Sequence, residues 1–196
     1  MADQDLEELV QLGGDLVERA RKQGADVAEA VVTEGSHLST KVRLGEPELV
    51  EEAGSRSLGL RVMIGQQVAV SYTSDLTERG VERFVEDAIE LARLSQPDDM
   101  AGPPDASQLS SRDQHPNLAL HDPRVHAVDA AQALDHAKRG EAAARADERI
   151  TNSEGASFTR ASGAKALVTS GGFCGVAEGT YASLSVHPVA DDADGK

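Results

Sequence analysis

The sequence predicts an α+β fold, in which two helices flank an antiparallel β-meander and a second β region follows a linker. Three observations predict it. Apolar residues recur at helical spacing over 5–22 and again over 81–92. Between 27 and 72 they alternate with polar residues at a period of two. Five of the seven prolines fall between residues 95 and 124, which interrupts the regular pattern.

The two predicted helices have recognisable ends. Asp5 and Glu8 have the spacing of a capping box at the start of the first helix, and Gly24 is a natural stop after residue 22. Thr77 is a suitable N-cap for the second helix. Its apolar stripe predicts that the second helix covers one face of the sheet.

The meander between the helices is predicted to contain about five short strands joined mostly by tight turns. In the fourth of them, Leu60 shares one face with the other apolar residues, and Arg61 lies on the opposite face. Such alternation is typical of an antiparallel sheet with one buried and one solvated face. The predicted strands cover residues 27–33, 36–44, 48–53, 57–64 and 68–72.

The rest of the chain has a different composition. Residues 1–95 are predicted to form the helix–meander–helix domain, residues 96–124 a Pro-rich linker or surface strap, and residues 125–196 the start of an incomplete second domain. In that last part, Asp122-Pro123 predicts the start of an alanine-rich helix, followed by strands rich in Ser, Thr, Ala and Gly. Small side chains bury little area, so these strands are expected to need a partner surface.

Composition excludes several classes of function. The 196 residues include 34 acidic and 19 basic side chains, for a net charge of −15, which disfavours direct binding to nucleic acids or anionic membranes. No apolar run exceeds three residues, and the first five residues lack the basic and apolar regions of a signal peptide. The single cysteine rules out an intramolecular disulfide, and a cytoplasmic location is expected.

The histidines do not have the spacing of a metal site. No histidine is followed by glutamate, as a helical zinc protease motif requires. Pro123 separates His121 from His126, and His126 and His136 are ten residues apart, which does not place them on one helical face. Linker and helix histidines at the surface explain them better than a metal does.

Three further candidates also have simpler explanations. Cys174 has no His or Asp near it in sequence, and an unactivated cysteine is commonly inert. The glycine-rich run 171–175 lacks the Lys-Ser/Thr of a phosphate-binding loop and fits a turn. Glu51 and Glu52 are adjacent in a strand, so they point to opposite faces. The residues by themselves therefore predict no catalytic, cofactor-binding or metal-binding residue.

Three segments in order resemble the TldD/PmbA family, whose members were once called modulators of DNA gyrase. The first is SLGLRV at 57–62, which leads through a hairpin into SYTSDL at 71–76. The second is LALHDP at 118–123. The third is ITNSEGASF at 150–158, followed by a Ser/Ala-rich strand pair that ends near ADDADG at 190–195. The first and third segments are more similar to the PmbA (TldE-like) branch than to the TldD branch.

This resemblance implies a two-subunit cytoplasmic metallopeptidase that trims unfolded or leader peptides. The TldD-like subunit of the family carries a His-Glu-x-x-x-His zinc helix, and none of the zinc residues maps onto this sequence. The chain is therefore expected to be the non-catalytic N-terminal region of a PmbA-like subunit, serving assembly and peptide handling. Zinc is expected in a TldD-like partner subunit, and the expected partners are that subunit or a second copy.

Two alternatives remain open at this stage. In one, the chain is the front portion of a TldD-like subunit whose zinc motif lies downstream. In the other, it is a stand-alone peptide-binding module.

Overall fold

A computed structural model describes residues 3–191. In chain order its α-helices and β-strands are α1 (Asp3–Lys22), β1 (Val27–Arg43), β2 (Glu46–Ile64), β3 (Gln67–Thr73), α2 (Glu78–Leu94), α3 (Pro123–His126), α4 (Ala130–Arg145), β4 (Asn152–Thr169) and β5 (Cys174–Val189). The strands form one sheet in the order β3-β2-β1-β4-β5. The predicted α+β class with an antiparallel sheet is confirmed.

The prediction of five short strands in the meander was wrong, because the chain forms three strands there. Residues 27–33 and 36–43 belong to the single strand β1, Leu44 lies in the turn that follows it, and 48–53 and 57–64 belong to β2. Gly35 does not mark a turn. A Cβ at Gly35 would stand 3.1 Å from the Ser162 carbonyl oxygen of β4, so this glycine permits close approach of two strands.

The second β region predicted after the linker does not form a sheet of its own. Strand β4 lies beside β1 in the same sheet, and β5 lies outside β4. The Thr40 hydroxyl donates to the Phe158 carbonyl oxygen at 3.2 Å, and the Ser39 and Thr159 hydroxyls lie 3.3 Å apart. The small residues of β4 therefore serve close pairing with β1.

The described residues divide into two compact units that are discontinuous in sequence. The first combines residues 3–34, 55–118 and 164–178, and the second combines 35–54, 119–163 and 179–191. Strands β1, β2, β4 and β5 contribute residues to both units. The division into consecutive segments at residues 95 and 124 stays a prediction.

The core of the first unit lies between helices α1 and α2 and one face of the sheet. Leu60 is only 1% exposed, whereas Arg61 forms an ion pair with Glu29 at 2.9 Å, so the two residues occupy opposite faces as expected. Thr77 caps α2 by accepting a hydrogen bond from the Gly80 amide at 3.1 Å. The other large buried residues include Leu9, Leu16, Leu58, Val62, Val81, Phe84 and Val85.

The core of the second unit is smaller and contains many alanines. It buries Leu38 and Val42 of β1 with Phe158 of β4 against the alanine-rich face of α4. The single alanine-rich helix predicted to start at Asp122-Pro123 is instead two helices, because α3 ends at His126 and α4 begins at Ala130. A capping box on Asp129 starts the second of them.

Helix α1 corresponds to the first helix that the sequence predicts. Helix α1 begins at Asp3, and the side chain of Asp5, on which the predicted capping box depends, lies outside the described residues.

Within residues 3–191, none of the helices combines the length and the apolar composition that crossing a bilayer requires.

Candidate functional site

The three histidines considered for metal binding occupy separate environments. His126 Nδ1 lies 2.7 Å from the Ser162 hydroxyl, and the His136 ring stacks on Phe158 with centroids 4.9 Å apart. His121 lies in the segment that leads into α3. Among the residues that the structure describes, no group of three His, Cys, Asp or Glu side chains could hold a metal ion. The described side chains do not fit a zinc site.

Cys174 lies at the start of β5, within the glycine-rich run 171–175. That run forms the β4–β5 turn, in which the Thr169 amide donates to the Phe173 carbonyl oxygen at 3.0 Å and Gly172 has a φ of 93°. The Phe173 ring contacts the His115 ring, with centroids 5.4 Å apart. The glycines therefore serve a tight hairpin turn.

The adjacent glutamates of β2 have different partners. Glu51 lies 4.0 Å from His37, whereas Glu52 accepts from Arg160 at 2.8 Å. Arg160 is almost fully buried, and it also donates to the Val128 carbonyl oxygen at 2.9 Å and to the Ser36 hydroxyl at 3.3 Å. The Arg160 guanidinium therefore connects β4 with β1, with β2 and with the residues just before α4. The sequence analysis did not identify this role of Arg160.

A second buried charge, Glu141 of α4, holds the β1–β2 turn. Its carboxylate accepts from the Leu44 and Gly45 amides, each at 2.8 Å, and from the Ser153 hydroxyl at 2.6 Å. Both turn residues have positive φ, as a two-residue hairpin of this type requires. Burial raises the pKa of Glu141, but the hydrogen bonds from Ser153, Gly45 and Leu44 together outweigh it and lower the pKa below its usual value.

The sequence did contain a signal for Glu141. Ala133, Ala137 and Glu141 follow one another at intervals of four, so the glutamate continues the buried stripe of α4. A carboxylate at such a position requires hydrogen-bond donors, and the turn supplies them.

Glu141→Gln is expected to lower the free energy of unfolding by about 2 kcal/mol, because the amide turns a donor toward a buried backbone N–H. The lowered pKa adds a pH dependence. The stabilisation that the ionised Glu141 carboxylate provides is fully present above its unfolded pKa of about 4.5. It is lost as the pH falls through the lower pKa of the folded state. Urea unfolding at pH 7 and pH 3 measures both effects.

The matched control is Arg139→Gln on the exposed side of the same helix, which leaves the turn contacts intact. We expect the difference between wild type and Glu141→Gln to be smaller at pH 3 than at pH 7. An equal difference at both pH values would contradict the assigned role of the charge.

The sheet presents backbone edges at which a polypeptide strand can pair. Strand β3 pairs only with residues 58–64 of β2, so residues 46–57 have no outer neighbour among the described strands. We call residues 46–57 the β2 edge segment. Leu49 and Val50 within it are 45% and 49% exposed, and it carries Glu46 and Glu48 besides the adjacent glutamates. An exposed edge of this length is a ready template for strand addition.

The edge at β3 is more protected. The Val68 amide donates to the Ser95 hydroxyl at 3.1 Å, and the Gln66 carbonyl oxygen accepts from the Asp98 amide at 2.9 Å. The strap after α2 therefore covers one end of β3. Val70 and Tyr72 lie on the open face of the sheet, where they are 69% and 86% exposed.

The described residues define an α+β fold with one five-stranded antiparallel sheet. Two family models match the chain: PmbA/TldA metallopeptidase domain 1 over residues 28–92, and the PmbA/TldA metallopeptidase central domain over residues 123–196. The chain belongs to the PmbA/TldD metallopeptidase family, as the sequence resemblance predicted.

Individual relatives agree with this assignment. A metalloprotease PmbA homolog of Haemophilus influenzae is 40% identical over 169 residues, which cover 85% of this chain and 36% of the relative. Metalloprotease PmbA of Escherichia coli is 34% identical over 169 residues, covering 86% of this chain and 37% of the relative. The chain thus spans little more than a third of the length of these curated relatives.

Solved structures show the same fold. A protein of Bacteroides thetaiotaomicron described as a modulator of DNA gyrase superposes with a TM-score of 0.86 at 22% identity, covering 95% of this chain and 42% of that one. TldE of Thermococcus kodakarensis superposes with a TM-score of 0.78 at 15% identity, covering 92% of this chain and 39% of that one.

Proposed function

We propose that this chain is the N-terminal region of a PmbA/TldE-like subunit that serves assembly and peptide handling in a cytoplasmic zinc peptidase, without catalysing the reaction itself. The family assignment supports the peptidase context. The lack of a fitting metal-ligand group among the described residues supports a non-catalytic role. The catalytic zinc then belongs to a TldD-like partner subunit.

The β2 edge segment is the observation that carries the peptide-handling role. An extended peptide can add a strand there through backbone hydrogen bonds, which do not depend on peptide sequence. Leu49 and Val50 are consecutive, so they present apolar contacts on the two opposite faces of the strand. Such a surface suits unfolded or leader peptides, which are already extended.

The proposed role is tested by cleavage of an unfolded polypeptide. The chain alone, a TldD-like subunit from the same organism alone, and the mixture are compared in the presence of zinc. We expect cleavage by the mixture to exceed the sum of the separate rates. Cleavage by this chain alone, with a stoichiometric metal ion bound, would overturn the proposal.

A second candidate function is favoured by the names of the relatives, which are called metalloproteases and are much longer than this chain. In it, this chain is the front portion of a subunit that carries its own zinc motif downstream. Sequencing the gene beyond residue 196 distinguishes the two, since a His-Glu-x-x-x-His motif there would favour the second candidate.

A further inference from the structure

The β2 edge segment is open along its length but closed at one end. Strand β3 occupies the same edge of β2 from the point where Leu58 pairs with Thr73. Thr73 is the last residue of β3, and the Asp75 amide donates to the Thr73 hydroxyl at 3.0 Å, so the chain leaves the edge directly after Thr73. A strand that adds to the β2 edge segment must end there, because β3 blocks its path.

The backbone groups of Arg56 are the first that β3 leaves open. The Val68 amide points away from β2, since it donates to the Ser95 hydroxyl. Backbone groups alternate in direction along a strand, so the odd-numbered residues of β3 face β2, and Thr73 faces Leu58. The next residue of β2 that faces this edge is Arg56, two positions before Leu58. No backbone group of a described residue outside the sheet pairs with Arg56.

The end of an added strand would lie beside Asp75. A peptide that pairs up to the block places its terminal residue opposite Arg56. In the register of β3, Asp75 would take that position if the strand continued. Asp75 stays close to it, because two residues of extended chain span at most about 7 Å beyond Thr73.

The charges around this position favour an amino terminus. Oδ1 of Asp75 accepts from the Thr77 hydroxyl at 2.7 Å and from the Thr77 amide at 3.0 Å, whereas Oδ2 accepts from none of the described residues. The two Thr77 bonds lower the pKa of Asp75, so its carboxylate is charged at neutral pH. The Arg56 side chain is already paired with Glu34, at 3.2 Å. A protonated α-amine is therefore attracted, and an α-carboxylate is repelled.

We propose that the end of the β2 edge segment at Arg56 binds the free amino terminus of an extended peptide. The peptide pairs antiparallel to β2, with its first residue opposite Arg56 and its α-ammonium group beside Asp75. It continues from there along the β2 edge segment through backbone hydrogen bonds, which leave its sequence free. This inference rests on the peptide-handling part of the proposed function and names its substrate class, extended peptides with an unmodified amino terminus.

Binding is tested by fluorescence anisotropy with the full chain. The probe is an unstructured peptide of Ser, Thr and Val, labelled through a side chain near its carboxyl end and long enough to span the segment. We expect acetylation of its amino terminus to raise the Kd at least about 10-fold, because it removes the charge that Asp75 attracts. Amidation of its carboxyl terminus is expected to leave the Kd unchanged.

Asp75→Asn separates recognition of the terminus from strand addition. It is expected to raise the Kd of the free peptide by a similar factor and to leave the Kd of the acetylated peptide unchanged. The matched control is Asp87→Asn, the same change at an exposed carboxylate of α2, which is expected to alter neither Kd.

The direction of the peptide is tested by disulfide formation in a Cys174→Ser background. In the proposed register the second peptide residue lies opposite Ser55, with Cα atoms about 4.5–5.5 Å apart, which a disulfide can span. A peptide with cysteine at its second position is therefore expected to cross-link to Ser55→Cys. A peptide with cysteine next to its carboxyl end is not, and the reverse pattern would show parallel pairing and overturn the proposal.

The binding results separate this inference from the proposed function. Equal Kd values for the free and acetylated peptides, or equal effects of Asp75→Asn and Asp87→Asn, would overturn the terminus site. If the chain still stimulates cleavage by a TldD-like subunit in that case, the proposed function stands without the site. Binding that depends on the free terminus, together with no stimulation of cleavage, would retain the site and overturn the proposed function.

Discussion

Leu60→Asp is expected to lower the free energy of unfolding by about 4 kcal/mol, because it places a carboxylate in a core that offers no partner. Leu60 is 1% exposed and lies among the apolar residues that α1 and α2 cover. A loss of this size is a large share of the stability of an ordinary domain, so we expect the first unit to be largely unfolded at 37 °C. Urea denaturation followed by circular dichroism measures the loss.

The neighbouring residue supplies the control for Leu60. Arg61→Asp introduces the same carboxylate on the open face, where it removes the ion pair with Glu29. The pair is partly exposed, at 32% for Arg61 and 17% for Glu29, and the new carboxylate would also repel Glu29, so we expect a loss of about 1–2 kcal/mol, well below that of Leu60→Asp. Equal losses for the two variants would contradict the assignment of Leu60 to the covered face.

Local pattern was sufficient for much of the first unit. The alternation around Leu60 and Arg61 predicted the two faces of β2, and Thr77 predicted the start of α2. These features depend on residues close together in the chain, where side-chain period and capping chemistry act directly. Val70 and Tyr72 show the limit of such reasoning, since their alternation reveals a strand but not that its apolar face is open.

Long-range pairing could not be predicted in the same way. Nothing local to β4 indicates that it lies beside β1, more than a hundred residues earlier, so its small residues suggested a separate sheet. The hydroxyl contacts of Ser39 and Thr40 with β4 become meaningful only once the two strands are adjacent. Pairing of distant strands is fixed by the whole fold.

The buried polar residues were missed for a related reason. Glu141 and Arg160 each need several partners that come from different elements, and the partners of Arg160 include Ser36, Glu52 and Val128. A charged residue in a helix or strand is ordinarily read as solvent-exposed. In the sequence itself, only the four-residue spacing between Ala137 and Glu141 indicated that Glu141 lies on the buried face of α4.

The other large expected effect is also in the second unit, at Gly155, close to Glu141. Gly155 has a φ of 109°, and a Cβ built on it would stand 2.4 Å from the Val42 carbonyl oxygen. Its amide donates to the Ser153 hydroxyl, which in turn donates to Glu141. Any side chain at Gly155 would therefore strain its own backbone and push β4 away from β1, in the place where the buried carboxylate is satisfied.

Gly155→Ala is expected to lower the free energy of unfolding by roughly 3 kcal/mol, the sum of a positive-φ cost and an overpacking cost.

Two other glycines serve as controls that distinguish the positive-φ cost from the overpacking cost. Gly45 has a φ of 86° with open space around its Cβ position, so Gly45→Ala should show only the conformational cost, about 1 kcal/mol. Gly54 has neither a positive φ nor a contact closer than 3.8 Å, so Gly54→Ala should be nearly neutral. Urea unfolding of the three variants tests this order, and equal losses for Gly155→Ala and Gly45→Ala would show that the close approach of β4 to Val42 contributes nothing.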